Sequence, residues 1–204
     1  MEETMKAVRT VFLSLILVSF VFSSFPLTVF SQEKSPDALT VIHNRKSVRK
    51  YLDTPVTKDQ LETLLRAGMA APTAADKRPW AFVAITDRAM LDTLSLSTRG
   101  TRVLAGAKAA IVVCGDTRKG LPSEVWIQDC SAASENILLA AEAIGLGAVW
   151  TGIWLNVEPT KYVKRVLGLP AEVQPLNIIS IGYPTGAEKP KDKWDPANIH
   201  WEKW

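Results

Sequence analysis

The chain has 204 residues, of which 47% are hydrophobic and 22% are charged, and this composition is typical of a folded globular protein rather than a disordered one. Its formal net charge of +3 is too small and too scattered for a nucleic-acid-binding protein, whose Lys and Arg residues concentrate on one face. The two cysteines and two histidines show no zinc-like spacing, which argues against a metal site.

Residues 1–31 have the pattern of a targeting segment that is separate from the fold. Lys6 and Arg9 precede an apolar run, and small residues follow it before a candidate cleavage site after Ser31. This order is typical of a secretory signal and predicts an exported or periplasmic protein whose domain spans residues 32–204. An uncleaved membrane anchor is the alternative, because the apolar run extends far enough to cross a bilayer.

Helices and strands follow one another irregularly along the mature chain. A short helix is predicted from Ser35-Pro36-Asp37, with the serine as its cap, to about Asn44, and Thr57 to Gln60 fit a capping box that opens a second helix. The remaining predicted elements are, in order, a strand at 80–86, a helix to about 96, a strand at 109–114, the longest helix at 123–144, a strand at 147–153, a helix at 158–168 and a strand at 176–181. These elements do not alternate in a strict βαβ order. Their sequence therefore predicts an α+β fold with a mixed central β-sheet flanked by helices.

The basic segment, Arg45-Lys46-Ser47-Val48-Arg49, carries the groups that a phosphate monoester needs. A guanidinium group can pair with two phosphate oxygens, and a hydroxyl donates a further hydrogen bond. In an extended backbone, side-chain alternation places Arg45, Ser47 and Arg49 on one side. A solvated basic loop is the alternative interpretation.

Three further segments have features of ligand sites. Residues 70–80 form a loop of small residues, which lets a backbone approach a flat ligand, and its polar residues 76–78 could hydrogen-bond the edge of a heterocycle. The glycines of residues 145–152 leave backbone N–H groups accessible where a strand begins. The C-terminal tail, residues 183–204, has lysines that could complete a phosphate site. Each segment also has a purely structural interpretation. The loop fits a plain helix-to-strand connection, the glycine-containing segment fits a tightened strand entry, and the tail fits a solvated chain end.

Together, the order and spacing of these four segments resemble the nitroreductase family over residues 37–204. The basic segment resembles the family element that grips the FMN phosphate and ribityl chain, and Ala71 to Trp80 is similar to the loop that lines the flavin. Gly145 to Gly152 resembles the stretch whose backbone reaches the isoalloxazine ring near N5. Gly182-Tyr183-Pro184 followed by lysines resembles the turn before the closing basic phosphate ligand.

The resemblance implies a dimeric three-layer fold with FMN at the subunit interface and NAD(P)H as electron donor. The donor would pass a hydride to FMN N5 and leave before a nitroaromatic, quinone or similar electrophile stacks in the same place, so that kinetics would be ping-pong and no protein acid or base would be required. The implied cofactor-binding residues are Arg45, Lys46, Ser47, Arg49, Pro72, Thr73, Ala74, Asp76, Arg78, Trp150, Thr151, Gly152, Lys191 and Lys193.

Three positions depart from the family pattern. The family often has Asn and Gln where this chain has Asp76 and Arg78, and an ionised Asp cannot donate a hydrogen bond, so the flavin potential and the substrate choice stay open. Thr151 stands where some members carry a glutamate near the substrate face.

Other functions on this scaffold remain open: dehalogenation, enone reduction, flavin-ring cleavage, or a non-enzymatic flavin-binding or electron-transfer protein. Because FMN is made in the cytosol, a cytoplasmic location also stays an alternative. The tail carries Trp194, Trp201 and Trp204, and a solvated tail would not normally carry three tryptophans, so it is predicted to pack on a partner subunit.

Overall fold

The computed structural model describes residues 36–121, 124–154 and 156–204, so the predicted targeting segment lies outside it. The helices and strands, in chain order, are α1 (Ala38–Asn44), α2 (Lys58–Met69), β1 (Trp80–Ile85), α3 (Arg88–Ser95), β2 (Ala109–Asp116), α4 (Val125–Ala143), β3 (Gly147–Gly152), α5 (Val157–Leu167) and β4 (Val173–Gly182). Short 3-10 turns occur at Ala74–Asp76, Gly100–Ala105 and Pro196–Asn198. Every predicted helix and strand is present.

Local side-chain chemistry sets the helix starts. The predicted capping box of α2 is confirmed, because the Gln60 N–H donates to Thr57 Oγ1 at 3.2 Å and the Thr57 N–H donates to Gln60 Oε1 at 3.0 Å. The predicted cap of α1 is wrong: Asp37, not Ser35, caps this helix and accepts from the Leu39 and Thr40 N–H groups at 3.1 Å. A carboxylate at this position also interacts favourably with the helix dipole.

The four strands form one sheet in the order β1-β2-β4-β3, and all three ladders are antiparallel. The single parallel pairing among the described residues is the bridge between Ser47 and Ala148. Strand β4 extends beyond its predicted bounds at both ends. At its N-terminal end it continues through Pro175, which lies opposite an irregularity between Val113 and Cys114, where a missing ladder hydrogen bond is tolerated.

Helices cover both faces of the sheet, which confirms the predicted three-layer α+β architecture. Alternate residues of the fully buried β2 point to opposite faces. On one face they pack with α2 and α4, and on the other with α3 and α5. The residues concerned are Ala109, Ile111 and Val113 with Leu64 and Ile137 on the first face, and Ala110, Val112 and Cys114 with Leu91 and Val163 on the second.

The two cysteines lie in the interior. Cys114 and Cys130 are both free and fully buried. Burial raises the pKa of each thiol to about 12, which leaves both unreactive at neutral pH. Within the described residues, no helix combines the length and apolar character needed to span a bilayer.

Candidate functional site

The basic segment and the C-terminal tail, which are distant in sequence, line one cavity of about 380 Å³. We call it the basic cavity. Six cations and one carboxylate surround it. Its walls are Arg45, Lys46, Ser47 and Arg49 from the segment and Glu188, Lys189, Lys191 and Lys193 from the tail. The structure therefore brings together the first and the fourth of the predicted ligand-binding segments.

The basic segment lies across the edge of the sheet. The Val48 N–H donates to the Ala148 carbonyl at 3.0 Å, and the Val48 side chain is 1% exposed. This approach requires glycine on the sheet, because a Cβ at Gly147 would lie 2.7 Å from Val48 and one at Gly182 would lie 2.7 Å from the ring of Tyr51. The predicted extended backbone is thus held by burial as well as by hydrogen bonds.

The tail returns onto the basic segment and the three residues that follow it through three hydrogen bonds. The Leu52 N–H donates to the Tyr183 carbonyl at 2.8 Å, and the Thr185 N–H donates to the Lys50 carbonyl at 3.2 Å. The third bond runs from the Arg49 N–H to Glu188 Oε1 at 2.8 Å. These bonds bring the lysines that follow Glu188 to the basic segment.

Glu188 is the single carboxylate of the basic cavity. The hydrogen bond from the Arg49 N–H lowers the pKa of its carboxyl below the usual range, so Glu188 is ionised at neutral pH. Its second oxygen, Oε2, is buried and has no hydrogen-bond partner among the described residues. The cavity thus offers one free acceptor among many donors.

Two of the cations are held by helix α4. Arg45 Nε lies 3.1 Å from Glu135 Oε1, and Lys46 Nζ lies 3.0 Å from Glu142 Oε1. The Lys46 ammonium is therefore directed at α4, whereas the Arg49 guanidinium donates to the Ser47 carbonyl at 3.2 Å. The pairing of Arg45 through Nε leaves its other nitrogens available to an anion.

The loop of small residues does not line the basic cavity. Ala75, Asp76 and Arg78 have φ angles of 50°, 52° and 48°, a left-handed backbone that non-glycine residues adopt only at a cost. Arg78 donates to both carboxylate oxygens of Asp76, at 2.7 and 2.6 Å, and this contact lowers the pKa of the Asp76 carboxyl. Two of the three residues that depart from the family pattern thus pair with each other.

Asp129 on α4 anchors this loop and was missed by sequence reasoning. Its side chain is 6% exposed, and its Oδ1 accepts the Ala74 N–H at 2.9 Å. The loop is closed further by the Arg78 N–H, which donates to Thr73 Oγ1 at 3.1 Å. The signal for this role in the sequence is a lone carboxylate on an apolar helix face, three residues after Trp126.

The predicted residues of β3 also lie outside the basic cavity. Trp150 is partly buried and packs into the core beside α4, and Thr151 Oγ1 donates to the Gly100 carbonyl at 3.4 Å. Gly152 is exposed, and among the described residues no atom outside its two chain neighbours lies within 4 Å of the position that a Cβ would occupy there. Within one chain, the loop and the end of β3 therefore contribute surfaces separate from the cavity. Among the described residues, no group of three or more metal-ligating side chains was found.

One family model and several known proteins are similar to this chain. A sequence model of the nitroreductase family matches residues 42–102 and 92–183. A relative from Archaeoglobus fulgidus, provisionally named NADH dehydrogenase/NAD(P)H nitroreductase, is 39% identical over 172 residues, which cover 82% of this chain and 99% of that protein.

Two solved structures share this fold along nearly the whole of their length. A crystal structure from Parabacteroides distasonis, provisionally named NADH dehydrogenase/NAD(P)H nitroreductase, is 50% identical with a TM-score of 0.79, covering 82% of this chain and 98% of that one. A provisionally named nitroreductase from Desulfovibrio desulfuricans, solved in complex with FMN, is 29% identical with a TM-score of 0.71, covering 84% of this chain and 99% of that one.

The anchoring role of Asp129 can be tested by proteolysis. We expect Asp129→Ala to free the loop and to raise the rate of tryptic cleavage after Lys77 roughly 10- to 150-fold, because a lost hydrogen bond to a carboxylate costs about 1.5–3 kcal/mol. Asp129→Asn is the matched control, since its amide oxygen can still accept the Ala74 N–H. The assignment would be contradicted if the unmodified chain and Asp129→Ala unfolded at the same urea concentration and were cleaved at the same rate.

Proposed function

The chain belongs to the nitroreductase family, and we propose that it is an FMN-dependent oxidoreductase that uses NAD(P)H as electron donor. The observation that carries this proposal is the basic cavity, in which Arg45, Ser47 and Arg49 meet Lys191 and Lys193. FMN-bound and FMN-dependent proteins among the structural relatives support the same cofactor.

The residues of the basic cavity fit the phosphate end of FMN. A phosphate dianion needs several donors of positive charge, and guanidinium, ammonium and hydroxyl groups line the walls. The charge of Arg45 is offset by Glu135, and the charge of Lys46 is offset by Glu142. Arg49 and the tail lysines are therefore left to balance most of the phosphate charge. The unpartnered Oε2 of Glu188 fits a hydroxyl donor, and the ribityl chain next to the phosphate carries such hydroxyls.

A homodimer would bring the remaining predicted pieces to the same cofactor. The loop of small residues and the end of β3 lie outside the basic cavity, so we propose that the flavin ring binds between two chains that each contribute some of these surfaces. An apolar groove of about 410 Å³ between α1, α2 and α4 supports this, with Ile42, Leu139 and Ala143 in its lining. Leu39 beside it is 67% exposed, which is unfavourable unless a partner covers it.

Bound FMN would supply the redox chemistry, accepting a hydride from NAD(P)H and passing two electrons to an electrophile such as a nitroaromatic or a quinone. The chain would supply binding and orientation. Arg49 and the tail lysines neutralise the phosphate, the Asp129 anchor holds the loop in its left-handed shape, and the open backbone at Gly152 lets a flat ring approach. Since donor and acceptor would use one face in turn, we propose ping-pong kinetics.

Anaerobic stopped-flow absorbance tests this proposal directly. The flavin-loaded protein should lose its yellow absorbance on mixing with NADH or NADPH and recover it on a second mix with a nitroaromatic or quinone. Initial rates against both substrates should give parallel double-reciprocal lines. Flavin that binds but is not reduced by either nucleotide would indicate an electron-transfer protein instead, and a protein that cannot be loaded with FMN would overturn the proposal.

The phosphate role of the basic segment predicts a selective loss of flavin affinity. We expect Arg49→Ala to weaken FMN binding by roughly 1.5–3 kcal/mol, which is about 10- to 150-fold in Kd, because one charge-assisted contact is lost. Arg45→Ala should act in the same direction. Fluorescence titration of the apoprotein gives the Kd, and Lys58→Ala, which removes a cation that is 87% exposed outside the basic cavity, is the control. Unchanged flavin content in both arginine variants after dialysis would count against the site.

The tail tryptophans predict a role in assembly. Trp201 and Trp204 are 83% and 100% exposed in the single chain. Deletion of residues 195–204 should therefore weaken the dimer and reduce flavin retention, because it removes the side chains that are predicted to pack on the partner subunit. Light scattering and flavin absorbance measure both effects. A truncated chain that stays dimeric and flavin-loaded would show that the tail has no such role.

A further inference from the structure

A short 3-10 turn packs against the C-terminal end of β3. The turn spans Gly100–Ala105, and Arg99 before it has φ and ψ angles of −60° and −36°, which continue the same helical backbone. We call residues 99–105 the arginine turn. Thr151 Oγ1 donates to the Gly100 carbonyl at 3.4 Å, and a Cβ at Gly100 would lie 2.9 Å from Thr151 Cγ2. This close approach to β3 therefore requires a glycine in the turn.

Hydrogen bonds on its inner side tie the arginine turn to α3. Thr101 is fully buried, and its Oγ1 accepts from the Thr98 N–H at 2.9 Å and donates to the Ser95 carbonyl at 3.1 Å. Farther along the turn, the Arg88 guanidinium donates to the Leu104 carbonyl at 2.7 Å. Ser95 and Arg88 are the last and first residues of α3, so both ends of the helix hold the turn in one orientation.

Two arginines share an outer side of this turn. Side chains three residues apart lie on the same side of a 3-10 helix. Burial of Thr101 and Leu104 fixes the inner side, so Arg99 and Arg102 lie together on another side. Both arginines are exposed, and neither forms an ion pair with any residue that the structure describes. Their guanidinium groups can therefore pair with the oxygens of one anionic group.

The acidic side chains of the neighbouring helices α3 and α5 are already paired with other cations. Helix α3 packs against the arginine turn, and its Asp92 lies 2.8 Å from Arg88. Helix α5 follows β3 in the sequence, and its Glu158 lies 3.1 Å from Lys161. Thr151, at the contact with the turn, is uncharged. The charge of the two arginines is therefore left to attract an anion to the end of β3.

We propose that the arginine turn selects electron acceptors that carry a carboxylate or sulfonate, which Arg99 and Arg102 bind while the electrophilic ring stacks on the flavin. This inference deepens the proposed function and rests on it, because it takes the open backbone of Gly152 at the end of β3 as the place where the flat ring approaches. The preferred substrates are thus anionic nitroaromatics and quinones. For a nitro group, NAD(P)H supplies the hydride, solvent supplies a proton, and the products are a nitroso group and water.

Steady-state reduction of two matched acceptors tests this selectivity. The FMN-loaded protein is assayed with 4-nitrobenzoate and with the neutral 4-nitrobenzamide, and the measured quantity is the ratio of their kcat/KM values. Arg99→Gln and Arg102→Gln should each lower this ratio roughly 5-fold, the upper end of the effect of an exposed ion pair. Added salt should lower the ratio for the unmodified chain towards that of the variants, because exposed charges are screened.

A binding measurement gives a second readout that does not depend on turnover. Benzoate and benzamide are titrated into the oxidised, FMN-loaded protein, and the flavin absorbance is recorded. Benzoate should bind more tightly than benzamide, and the double variant Arg99→Gln/Arg102→Gln should remove this preference. Arg165→Gln is the matched control in both experiments, because it removes an exposed arginine of α5 outside the arginine turn and changes the net charge equally.

The outcomes separate this inference from the proposed function. If the double variant keeps both the kcat/KM ratio and the benzoate preference while 4-nitrobenzamide is still reduced, the inference is overturned and the proposed function stands. The inference is also overturned if Arg165→Gln lowers the ratio equally, or if the arginine variants lower only kcat/KM for NADH or NADPH. If the bound flavin is neither reduced by a nucleotide nor reoxidised by an acceptor, the proposed function is overturned and the inference falls with it.

Discussion

The candidate site depends on holding two positively charged segments against each other. The basic segment and the C-terminal tail repel one another across the basic cavity, so electrostatics alone would separate them. Burial of Val48 and the backbone bonds from Leu52 to Tyr183 and from Thr185 to Lys50 oppose that repulsion. The carboxylate of Glu188 adds a negative charge inside the cavity. An anion placed between the segments relieves the remaining repulsion, which is why this arrangement favours a phosphate.

The rigid sheet makes this arrangement possible. Two glycines at the ends of β3 and β4 leave room for Val48 and Tyr51, and any larger residue would push the basic segment away from the sheet. On the other side of the cavity wall, helix α4 orients Arg45 and Lys46 through Glu135 and Glu142. The same helix carries Asp129, which fixes the loop of small residues. One buried helix thus positions groups from two separate segments of the proposed flavin site.

The single chain carries an incomplete site together with unusual exposed apolar surface. The basic cavity accommodates a phosphate, whereas the loop and the end of β3 present flat, open backbone elsewhere on the surface. Exposed Leu39 and the groove beside α4 lie where a second chain could cover them. The proposed dimer would account for both features, because burial of the apolar surface would stabilise the interface that also encloses the ring.

Local signals in the sequence determined the elements and the groups that could bind phosphate. Hydrophobic periodicity, the capping box at Thr57 and the glycine after α5 were sufficient to locate the helices and strands, because these features act within a few residues. The pattern of Arg45, Ser47 and Arg49 likewise indicated an anion site, since residue type alone sets that chemistry.

Only the tertiary structure decided which of these groups meet. The pairing of Arg49 with Glu188, the pairing of Asp76 with Arg78 and the anchoring of Ala74 by Asp129 depend on how the chain folds back and on backbone angles that residue type does not reveal. The cap of α1 was predicted at Ser35 rather than at Asp37, because two polar residues on either side of Pro36 can fill the same role and only geometry selects between them. Contacts between residues far apart in sequence come from the packing of whole layers, and no local pattern encodes that packing.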